Sequence, residues 1–378
     1  MHTGALSGSF PGAEMTLTAA ISHLIFAAGV FLASAAMTWA MIRFNISDVP
    51  NARSSHDRPT PKSGGVAIAA AFFSGLAALY FLSGTARLPG LQFVMFLATA
   101  GIMFATALID DLSGLRAPVK FLMQTVCALI FSLFVAHIDG LALPIAGQVA
   151  FGAFGHVLTV LWFIFFMNAF NFMDGINGLA GGGALIASLF LAAIAFFSGA
   201  HFVYLAALAL IGAVLGFFVF NFPHGRIFMG DTGSQIIGFA LAGLAVIGAR
   251  ADLGQLSITV VPALFGCFLF DVAATLGYRL ARGQRLSHAH REHLYQISNR
   301  LGFSHKRVSL IYFGLFVLNG VFGVLLQGAE PAARLPLLLG GILLHAPLAV
   351  MVYGAGLRTG IADLTRPVKI KPQIKTGA

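Results

Sequence analysis

Four aspartates stand out in a chain that contains few acidic residues. Asp110 and Asp111 are adjacent, Asp174 follows an apolar run, and Asp231 lies among glycines. Adjacent carboxylates at a helix end repel each other and lose hydration, so they need a cation or a basic partner. A hard divalent ion such as Mg²⁺, held by one or two carboxylates and by substrate phosphates, meets that need. The alternative is that all four are ordinary solvated loop acids.

A series of polar residues accompanies one of these acids. Asn168, Asn171, Asp174 and Asn177 recur at a spacing of three. On a helix this spacing gives a polar strip that winds slowly round one side. Such a strip is costly inside a membrane unless it lines a wet cavity. The spacing therefore favours a polar cavity at the end of an apolar run.

Asp231 stands in the segment FMGDTGS, residues 228–234, just before another apolar run. A glycine turn in this position lets backbone N–H groups and a helix N-terminus approach a phosphate. A plain connecting turn is the alternative, but it does not require an acid. The turn favours a phosphate ligand.

Histidine and arginine are concentrated in the segment HAHREH, which contains His288, His290, Arg291 and His293. The spacing of the three histidines matches part of a zinc site, although no cysteine or clear fourth ligand accompanies them. A solvated basic loop is a second interpretation. The basic context favours a third, in which His and Arg side chains bind a diphosphate.

A loop rich in hydrogen-bond donors follows the first apolar run. Residues 51–65 read NARSSHDRPTPKSGG, in which prolines restrict the backbone and basic residues provide charge at the membrane surface. A plain positive anchor is the alternative. The density of donors, which include Arg53 and His56, favours a lipid phosphate as the ligand.

Membrane helices must position these residues. The chain has 378 residues, of which 58% are hydrophobic and 9% charged, and its mean hydropathy is +0.90. Soluble domains carry roughly 25% charged residues, and a helical span needs about 20 apolar residues. The sequence predicts an all-α polytopic membrane protein with about 10–11 transmembrane helices. The predicted spans are residues 19–42, 64–83, 91–109, 121–138, 156–173, 183–199, 201–222, 235–249, 258–278, 308–327 and 335–356.

We expect a single integral membrane domain over residues 19–356, after an N-terminal extension of residues 1–18 and before a basic tail of residues 357–378. No Lys or Arg precedes the first apolar run, which is long enough to span, so a cleaved signal peptide is not expected. Met15 is an alternative start. The two cysteines lie in apolar runs without CxxC or CxxH spacing, so we expect neither a disulfide nor a cysteine metal site.

The chain has a net charge of +9, and the positions of its basic residues indicate how it is oriented in the membrane. A nucleic-acid partner would need a basic face on a soluble domain, and this chain has none. If the N-terminus lies outside, 19 of the 22 Lys and Arg residues fall in loops or the tail on the inner side, and only Arg87, Arg250 and Arg334 fall on the other. Basic residues in short loops stay in the cytoplasm. The sequence therefore predicts a multi-pass inner-membrane protein with a periplasmic N-terminus, a cytoplasmic C-terminus and its acids on the cytoplasmic face.

Five segments in order resemble the polyprenyl-phosphate N-acetylhexosamine-1-phosphate transferases of glycosyltransferase family 4, which are related to the phospho-MurNAc-pentapeptide translocase. The segments are NARSSHDRPTPKSGG, LIDDLSGLRAPVK, NAFNFMDGINGLAGG, FMGDTGS and HAHREHLYQ. The resemblance covers nearly the whole chain, and the first and last segments are most similar to the O-antigen-initiating branch. It departs at Asn177, where many relatives carry a second acid, and at Lys62-Ser63, where relatives often read Arg-Gly.

The resemblance implies transfer of a sugar 1-phosphate from a UDP-N-acetylhexosamine to undecaprenyl phosphate, with release of UMP. It also implies Mg²⁺, for which Mn²⁺ can substitute, and leaves a homodimer open. Asp110, Asp111, Asp231 and His290 would be catalytic, and Asp231 and Asp174 would hold the metal. The paired aspartates would position or deprotonate the lipid phosphate. The substrate-binding residues would be Lys120, Asn168, Asn171, Asp174, His288, Arg291, His293, Arg53 and His56.

Two other classes of protein share the gross hydropathy. A secondary transporter usually places its acids near the bilayer midplane, whereas here only Asp271 lies clearly inside a predicted span. A CDP-alcohol phosphotransferase needs a DGxxAR helix, which the segment DGINGL does not supply. The transporter remains the alternative.

Overall fold

The computed structural model describes residues 16–44, 60–84, 86–253, 255–284 and 291–361, and the backbone of residues 47–48. Helices account for most of these residues, as the apolar runs predict. Ten helices in the described part are long and apolar enough to cross a membrane. The prediction of an all-α polytopic membrane protein is confirmed.

In the described residues the helices follow one another, with two short strand pairs between the first and second helices and between the fourth and fifth. The helices are α1 (Leu17–Phe44), α2 (Gly64–Leu82), α3 (Gly90–Ser113), α4 (Ala117–Phe134), α5 (Phe154–Phe172), α6 (Leu179–Phe197), α7 (His201–Asn221), α8 (Gly230–Arg250), α9 (Val260–Leu264), α10 (Gly266–Ala281), α11 (Leu294–Arg300), α12 (His305–Gly328), α13 (Pro331–Leu343) and α14 (Ala346–Arg358). The strands are β1 (Ser47–Asp48), paired antiparallel with β2 (Thr60–Pro61), and β3 (Gly140–Leu143), paired antiparallel with β4 (Gly147–Ala150).

The predicted span over residues 258–278 is divided in the structure. It consists of the short helices α9 and α10, which are separated at Phe265. Hydrogen bonds from the Phe265 amide to Val261 and from the Leu269 amide to Phe265 continue across the division, so the two form one bent segment. The last predicted span is divided as well, into α13 and α14, with a proline in the first turn of α14.

Helix α8 lies at the centre of the bundle and packs against α2, α3 and α5. Its residues from Thr232 to Gly248 are all buried, in contrast to the lipid-exposed side chains of α1. Phe239 of α8 packs against Phe131 and Phe163, with ring centroids 6.1 and 5.0 Å away. This packing fixes α8, and with it the acid at its first turn.

The two ends of α8 define two faces of the molecule. Helix α3 ends and α8 begins on the same side, which we call the acidic face because Asp110, Asp111 and Asp231 lie there. Helix α8 ends at Arg250 on the opposite face, where the β3–β4 hairpin joins α4 to α5. From Asp231 to Arg250 the helix rises about 28 Å.

Candidate active site

Asp111 caps the N-terminus of α8 from the end of a different helix. Its carboxylate accepts hydrogen bonds from the backbone amides of Asp231 at 3.1 Å and Thr232 at 2.8 Å. The hydroxyl of Thr232 donates a third at 2.6 Å. The first amides of a helix have no partners within it and carry partial positive charge, so a carboxylate stabilises them. Asp111 therefore holds the glycine turn in place.

This capping moves two predicted boundaries. We expected α8 to begin at residue 235 and Asp231 to lie in the preceding loop, but the helix begins at Gly230 and Asp231 is in its first turn. Likewise α3 continues to Ser113, so the paired aspartates lie in its last turns. Both boundaries were wrong because the partner of the α8 amides lies 120 residues earlier in the chain.

Asp110 points to a lysine on the next helix. The Lys120 ammonium lies 2.8 Å from Asp110 Oδ2 and 3.3 Å from Asp231 Oδ2, and so bridges the two acids. The backbone amide of Leu115 donates to Asp110 Oδ1 at 2.7 Å. Consecutive helical residues point about 100° apart, which is why Asp110 and its neighbour have different partners. The prediction that the acids share one face is confirmed for this cluster.

The other oxygen of Asp231 accepts a hydrogen bond from Asn171 at 3.1 Å, and the same amide group donates to Ser234 at 2.7 Å. A second polar layer lies one turn deeper in α4, α5 and α8. There Gln124 donates to Gln235 at 3.0 Å, and Asn168 donates to Gln124 at 2.8 Å.

Gln124 and Gln235 did not figure among the predicted site residues. Each follows a residue of the first layer by four positions, Lys120 and Asp231 respectively, and therefore shares its helix face. A search for polar partners at that spacing would have found both. The substrate-binding role predicted for Asn168 stays a prediction, and its amide now has partners within the protein.

The glycine pair Gly64-Gly65 packs directly on the Asp231 turn. The amides of Gly64 and Gly65 donate to the carbonyls of Phe228 and Met229 at 3.0 and 2.9 Å. A Cβ atom on Gly65 would lie 2.1 Å from the backbone nitrogen of Gly233, closer than the two can approach. The C-terminal end of the donor-rich loop is thus part of the scaffold for the acid cluster.

We expect Gly65→Ala to reduce turnover by about a hundredfold, because it displaces the backbone that carries Asp231. Gly101→Ala is the matched control, since Gly101 lies in α3 and a Cβ atom there would meet nothing within 4 Å. Steady-state kinetics on both purified variants provide the measurement. Similar turnover in the two variants would contradict this role for Gly65.

The predicted helical strip of polar residues is wrong beyond Asn171. Helix α5 ends at Phe172, and α6 begins at Leu179 after Gly178, whose φ of +83° is a conformation that favours glycine. Asp174 and Asn177 therefore lie in the connecting turn. Only Asn168 and Asn171 share a face of α5.

The α5–α6 turn brings Asp174 into the electrostatic field of the cluster. The side chain is half-buried. Burial, and then the negative charges of Asp231 and Asp111, raise the pKa of Asp174 to about 8. Near neutral pH this carboxyl carries a proton unless a cation lies beside it. The turn is therefore poised to take up positive charge.

Of the predicted His and Arg residues, Arg291 and His293 are described, whereas Arg53, His56, His288 and His290 lie outside the described residues. His293 is buried and stands at the N-cap of α11. Its ring lies 6.0 Å from that of Phe172, at the end of α5. The solvated-loop interpretation is wrong for His293.

A buried carboxylate within α10 holds this segment. Asp271 accepts hydrogen bonds from the amides of Leu294 at 2.9 Å and Tyr295 at 3.4 Å, and from the hydroxyl of Tyr312 at 2.7 Å. Nδ1 of His293 lies 3.1 Å from the same carboxylate. In turn the Tyr295 hydroxyl donates to the carbonyl of Phe172 at 2.9 Å. Asp271 thereby connects the His-Arg segment to the turn that bears Asp174.

Comparison with known proteins places this geometry in a family. Residues 93–249 match the model of glycosyl transferase family 4. The decaprenyl-phosphate N-acetylglucosaminephosphotransferase of Mycobacterium tuberculosis (strain ATCC 25618 / H37Rv) is 30% identical in an alignment of 368 positions, gaps included, that covers 87% of this chain and 89% of the relative. The chain belongs to glycosyl transferase family 4.

Two other relatives of this family 4 chain have lower percentage identities. A probable undecaprenyl-phosphate N-acetylglucosaminyl 1-phosphate transferase of Bacillus subtilis (strain 168) is 28% identical over 76% of this chain and 79% of its own length. An undecaprenyl-phosphate alpha-N-acetylglucosaminyl 1-phosphate transferase of Escherichia coli (strain K12) is 24% identical over 75% and 77%. The predicted resemblance is confirmed, and the transporter alternative receives no support.

The family model matches residues 93–249 of this chain. These residues contain the cluster of Asp110, Asp111, Lys120 and Asp231. They end before Asp271, which lies clearly inside a predicted span. We expect Asp271→Asn to accelerate hydrogen–deuterium exchange at the Leu294 and Tyr295 amides by roughly tenfold, because hydrogen bonds to a charged acceptor are stronger than those to a neutral one.

The Asp271→Asn variant should also have a lower transferase activity, with a smaller loss than variants of the acid cluster itself. Tyr312→Phe is the control, since it removes one donor and leaves the carboxylate. Unchanged exchange at both amides would show that Asp271 does not hold α11.

Proposed function

We propose that this chain transfers N-acetylhexosamine 1-phosphate from a UDP-sugar to undecaprenyl phosphate, releases UMP and so initiates a lipid-linked cell-surface glycan such as O-antigen. The reaction would require Mg²⁺ and take place on the cytoplasmic face of the inner membrane. The family and the activities of its named members support the transfer itself. The choice of UDP-N-acetylhexosamine rests on the sequence resemblance.

One observation supports the proposal most directly, the bridge that Lys120 forms between Asp110 and Asp231 at the N-terminus of α8. An ammonium between carboxylates, beside a helix terminus with positive partial charge, offers a site for phosphate oxygens next to a site for a cation. A reaction between two phosphate groups needs both. The acids of a transporter would instead follow a path through the bilayer.

The residues present suit a magnesium ion. Among the described residues, no group of three or more His, Cys, Asp or Glu side chains is arranged to hold an ion. Mg²⁺ commonly takes only one or two carboxylates and completes its shell with water and substrate phosphates. Asp231 and Asp174 would hold it, and the raised pKa of Asp174 marks a carboxyl that lacks a nearby positive charge. Bound there, the ion would stabilise the negative charge of the diphosphate.

The side chains around that ion would have separate roles in the transfer reaction. An oxygen of undecaprenyl phosphate attacks the β-phosphorus of the UDP-sugar, and the bond from that phosphorus to the UMP oxygen breaks. Lys120 would orient the attacking phosphate by charge-assisted hydrogen bonds, and Asp110 would accept its proton. Asn171 would hold Asp231 in position. Arg291 and His293 would contact the diphosphate or the sugar.

The proposed orientation rests on charge. In the topology predicted from the sequence, 19 of the 22 Lys and Arg residues fall on the same side of the membrane as the acids, which favours the cytoplasm for that side. The N-terminus would then be periplasmic and the C-terminus cytoplasmic. Soluble UDP-sugar is made in the cytoplasm, so the proposed orientation also gives the donor access.

The decisive experiment supplies radiolabelled UDP-GlcNAc and undecaprenyl phosphate to the purified chain in detergent. We expect label in an organic-soluble product and release of one UMP for each product molecule. Protein without added lipid phosphate is the control. Uptake of label into proteoliposomes without a lipid product would instead indicate a transporter. A panel of UDP-sugars then identifies the donor.

The affinity for the metal should depend on pH through Asp174. Its pKa of about 8 means that an ion must displace a proton below that pH and meets a free carboxylate above it. We therefore expect Mn²⁺ to bind about thirtyfold more weakly at about pH 6.5 than at about pH 9. The signal of free Mn²⁺ in electron paramagnetic resonance measures the bound fraction without turnover.

Asp174→Asn should bind Mn²⁺ weakly at every pH and lose most of this dependence. Asp252→Asn, which alters an acid on the opposite face, should retain it. Equal pH dependence in wild type and Asp174→Asn would exclude Asp174 as a ligand.

A further inference from the structure

The opposite face carries a polar cavity that the proposed transfer reaction does not use. It has a volume of about 270 Å³ and lies between the β3–β4 hairpin, the end of α8 and the start of α13. Arg250 and Arg334 line it together with His137, Asp139, Gln148 and Gln255. Along α8 it lies about 28 Å from Asp231, so it is separate from the acid cluster.

The charge of this cavity is positive. Asp139 forms an ion pair with Arg250 and lies 2.9 Å from Nε2 of His137. Arg334 donates to the carbonyls of Ala329 at 3.0 Å and Gln327 at 2.9 Å. These bonds fix the guanidinium without neutralising it, and in the described part of the chain no carboxylate forms an ion pair with it. Glu330 acts electrostatically on Arg334, but it is exposed and does not line the cavity. Among the lining side chains, two arginines and one carboxylate leave one positive charge in excess, positioned for an anion.

The placement of these arginines is unusual for this face. The predicted topology assigns only Arg87, Arg250 and Arg334 of the 22 Lys and Arg residues to this face, and two of those three line this one cavity. A general preference for positive charge cannot explain them, because the chain otherwise keeps that charge on the other side. A specific anionic ligand can.

An apolar groove adjoins the polar cavity and shows what kind of ligand fits. It has a volume of about 420 Å³ and lies between α5, α9 and α13. Its walls include Leu161, Trp162, Phe165 and Leu338, and it shares Ile138, Leu141 and Ile258 with the polar cavity. A free inorganic anion would leave this groove uncovered. A molecule with an anionic head and a hydrocarbon tail would fill both spaces.

We propose that the polar cavity and the adjoining groove form a binding site for an anionic phospholipid, distinct from the acid cluster. The phosphodiester head would lie between Arg250 and Arg334, and one acyl chain would lie along Trp162 and Leu338. Arginine forms paired hydrogen bonds to phosphate oxygens, and basic pockets between membrane helices recognise lipid headgroups. The ligand is a membrane lipid, so the site remains occupied whether or not the enzyme is turning over.

A tryptophan in the groove makes the proposal testable by fluorescence. The chain has two tryptophans, and Trp39→Phe leaves Trp162 as the single reporter. The full chain is reconstituted in bilayers that contain phosphatidylglycerol with dibrominated acyl chains, which quench tryptophan on contact. Parallel bilayers contain dibrominated phosphatidylcholine, which has the same chains but no net charge.

We expect phosphatidylglycerol to bind about fivefold more strongly than phosphatidylcholine, the preference that one excess positive charge in the cavity lining gives at a membrane surface. Arg250→Ala combined with Arg334→Ala should reduce this preference to near unity. Arg87→Ala is the matched control, because Arg87 belongs to the same face but lines neither cavity. Circular dichroism and Tm establish that each variant is folded.

Equal quenching by the two lipids in the wild-type background would overturn the proposal, as would an equal loss of preference in Arg87→Ala. Inorganic phosphate in large excess should leave the quenching unchanged. If it abolished the preference, the cavity would bind free anions and the assignment to a lipid would be wrong. None of these outcomes depends on transferase activity.

Discussion

Asp231→Asn is expected to lower turnover by about a thousandfold while the protein remains folded in detergent. The substitution removes a negative charge that faces Lys120 at 3.3 Å and Asn171 at 3.1 Å, and with it the best candidate for a metal ligand. The neutral amide keeps the shape of the side chain. A large loss of turnover would therefore be due to the missing negative charge at position 231 and not to a change in side-chain shape.

The size of the loss is measured by kinetics with UDP-sugar and undecaprenyl phosphate over a range of Mg²⁺ concentrations. Glu330→Gln provides the control, since it removes an exposed acid on the opposite face. Tm of each variant separates loss of fold from loss of catalysis. Full turnover by wild type in the presence of EDTA would refute the metal role outright.

Asp110→Asn and Asp111→Asn should differ in kind, because the two carboxylates have different partners. Asp110 faces Lys120 at 2.8 Å and is the candidate proton acceptor, so its replacement should lower kcat by about a hundredfold and flatten the acidic limb of the pH profile. Asp111 caps α8 through three hydrogen bonds. Its replacement should loosen the turn that carries Asp231, and so mainly weaken the binding of metal and lipid phosphate.

Thr232→Val separates capping from charge, since it removes one hydrogen bond to Asp111 and leaves both carboxylates. It should resemble a mild form of Asp111→Asn in both the metal dependence and KM. Identical kinetic profiles for Asp110→Asn and Asp111→Asn would contradict this division of roles. Full activity in both would show that the cluster is not the active site.

The same pair of residues tests whether the lipid phosphate attacks the UDP-sugar directly or a covalent phosphosugar-enzyme intermediate forms first. Direct attack by the lipid phosphate predicts that no sugar phosphate remains on the enzyme when lipid is omitted. Both oxygens of Asp111 already accept hydrogen bonds from the start of α8, which leaves it poorly placed as a nucleophile. Detection of a phosphosugar on Asp110 or Asp111 by mass spectrometry would exclude direct attack.

Hydrophobicity was sufficient to predict the membrane helices, but not where they end or bend. The apolar runs gave most spans to within a few residues, because a bilayer sets the length of any helix that crosses it. The bend at Phe265 and the early start of α8 were missed. The start of α8 depends on Asp111, which lies 120 residues earlier in the chain, and local composition does not encode that contact.

Some features of the candidate site were likewise predicted from the sequence, and others were not. Its acids were identified from the sequence because carboxylates are rare in this chain and recur beside apolar runs, where burial of charge without purpose is costly. The spacing of three predicted that Asp174 lies on the same helix as Asn171. That prediction was wrong, because the helix ends at Phe172. The second layer formed by Gln124 and Gln235 was missed, although each residue lies four positions after a member of the first layer.

The sequence by itself determined that this is a polytopic membrane protein of a recognisable family, with its acids gathered on one face. Only the tertiary structure decided that Lys120 joins Asp110 to Asp231, that Asp111 caps α8, and that Asp271 holds the segment after Arg291. The physical reason is that hydropathy fixes the depth of each residue in the membrane, whereas the partner of a charged group depends on which helices are neighbours. Helix neighbours are set by packing across the whole bundle.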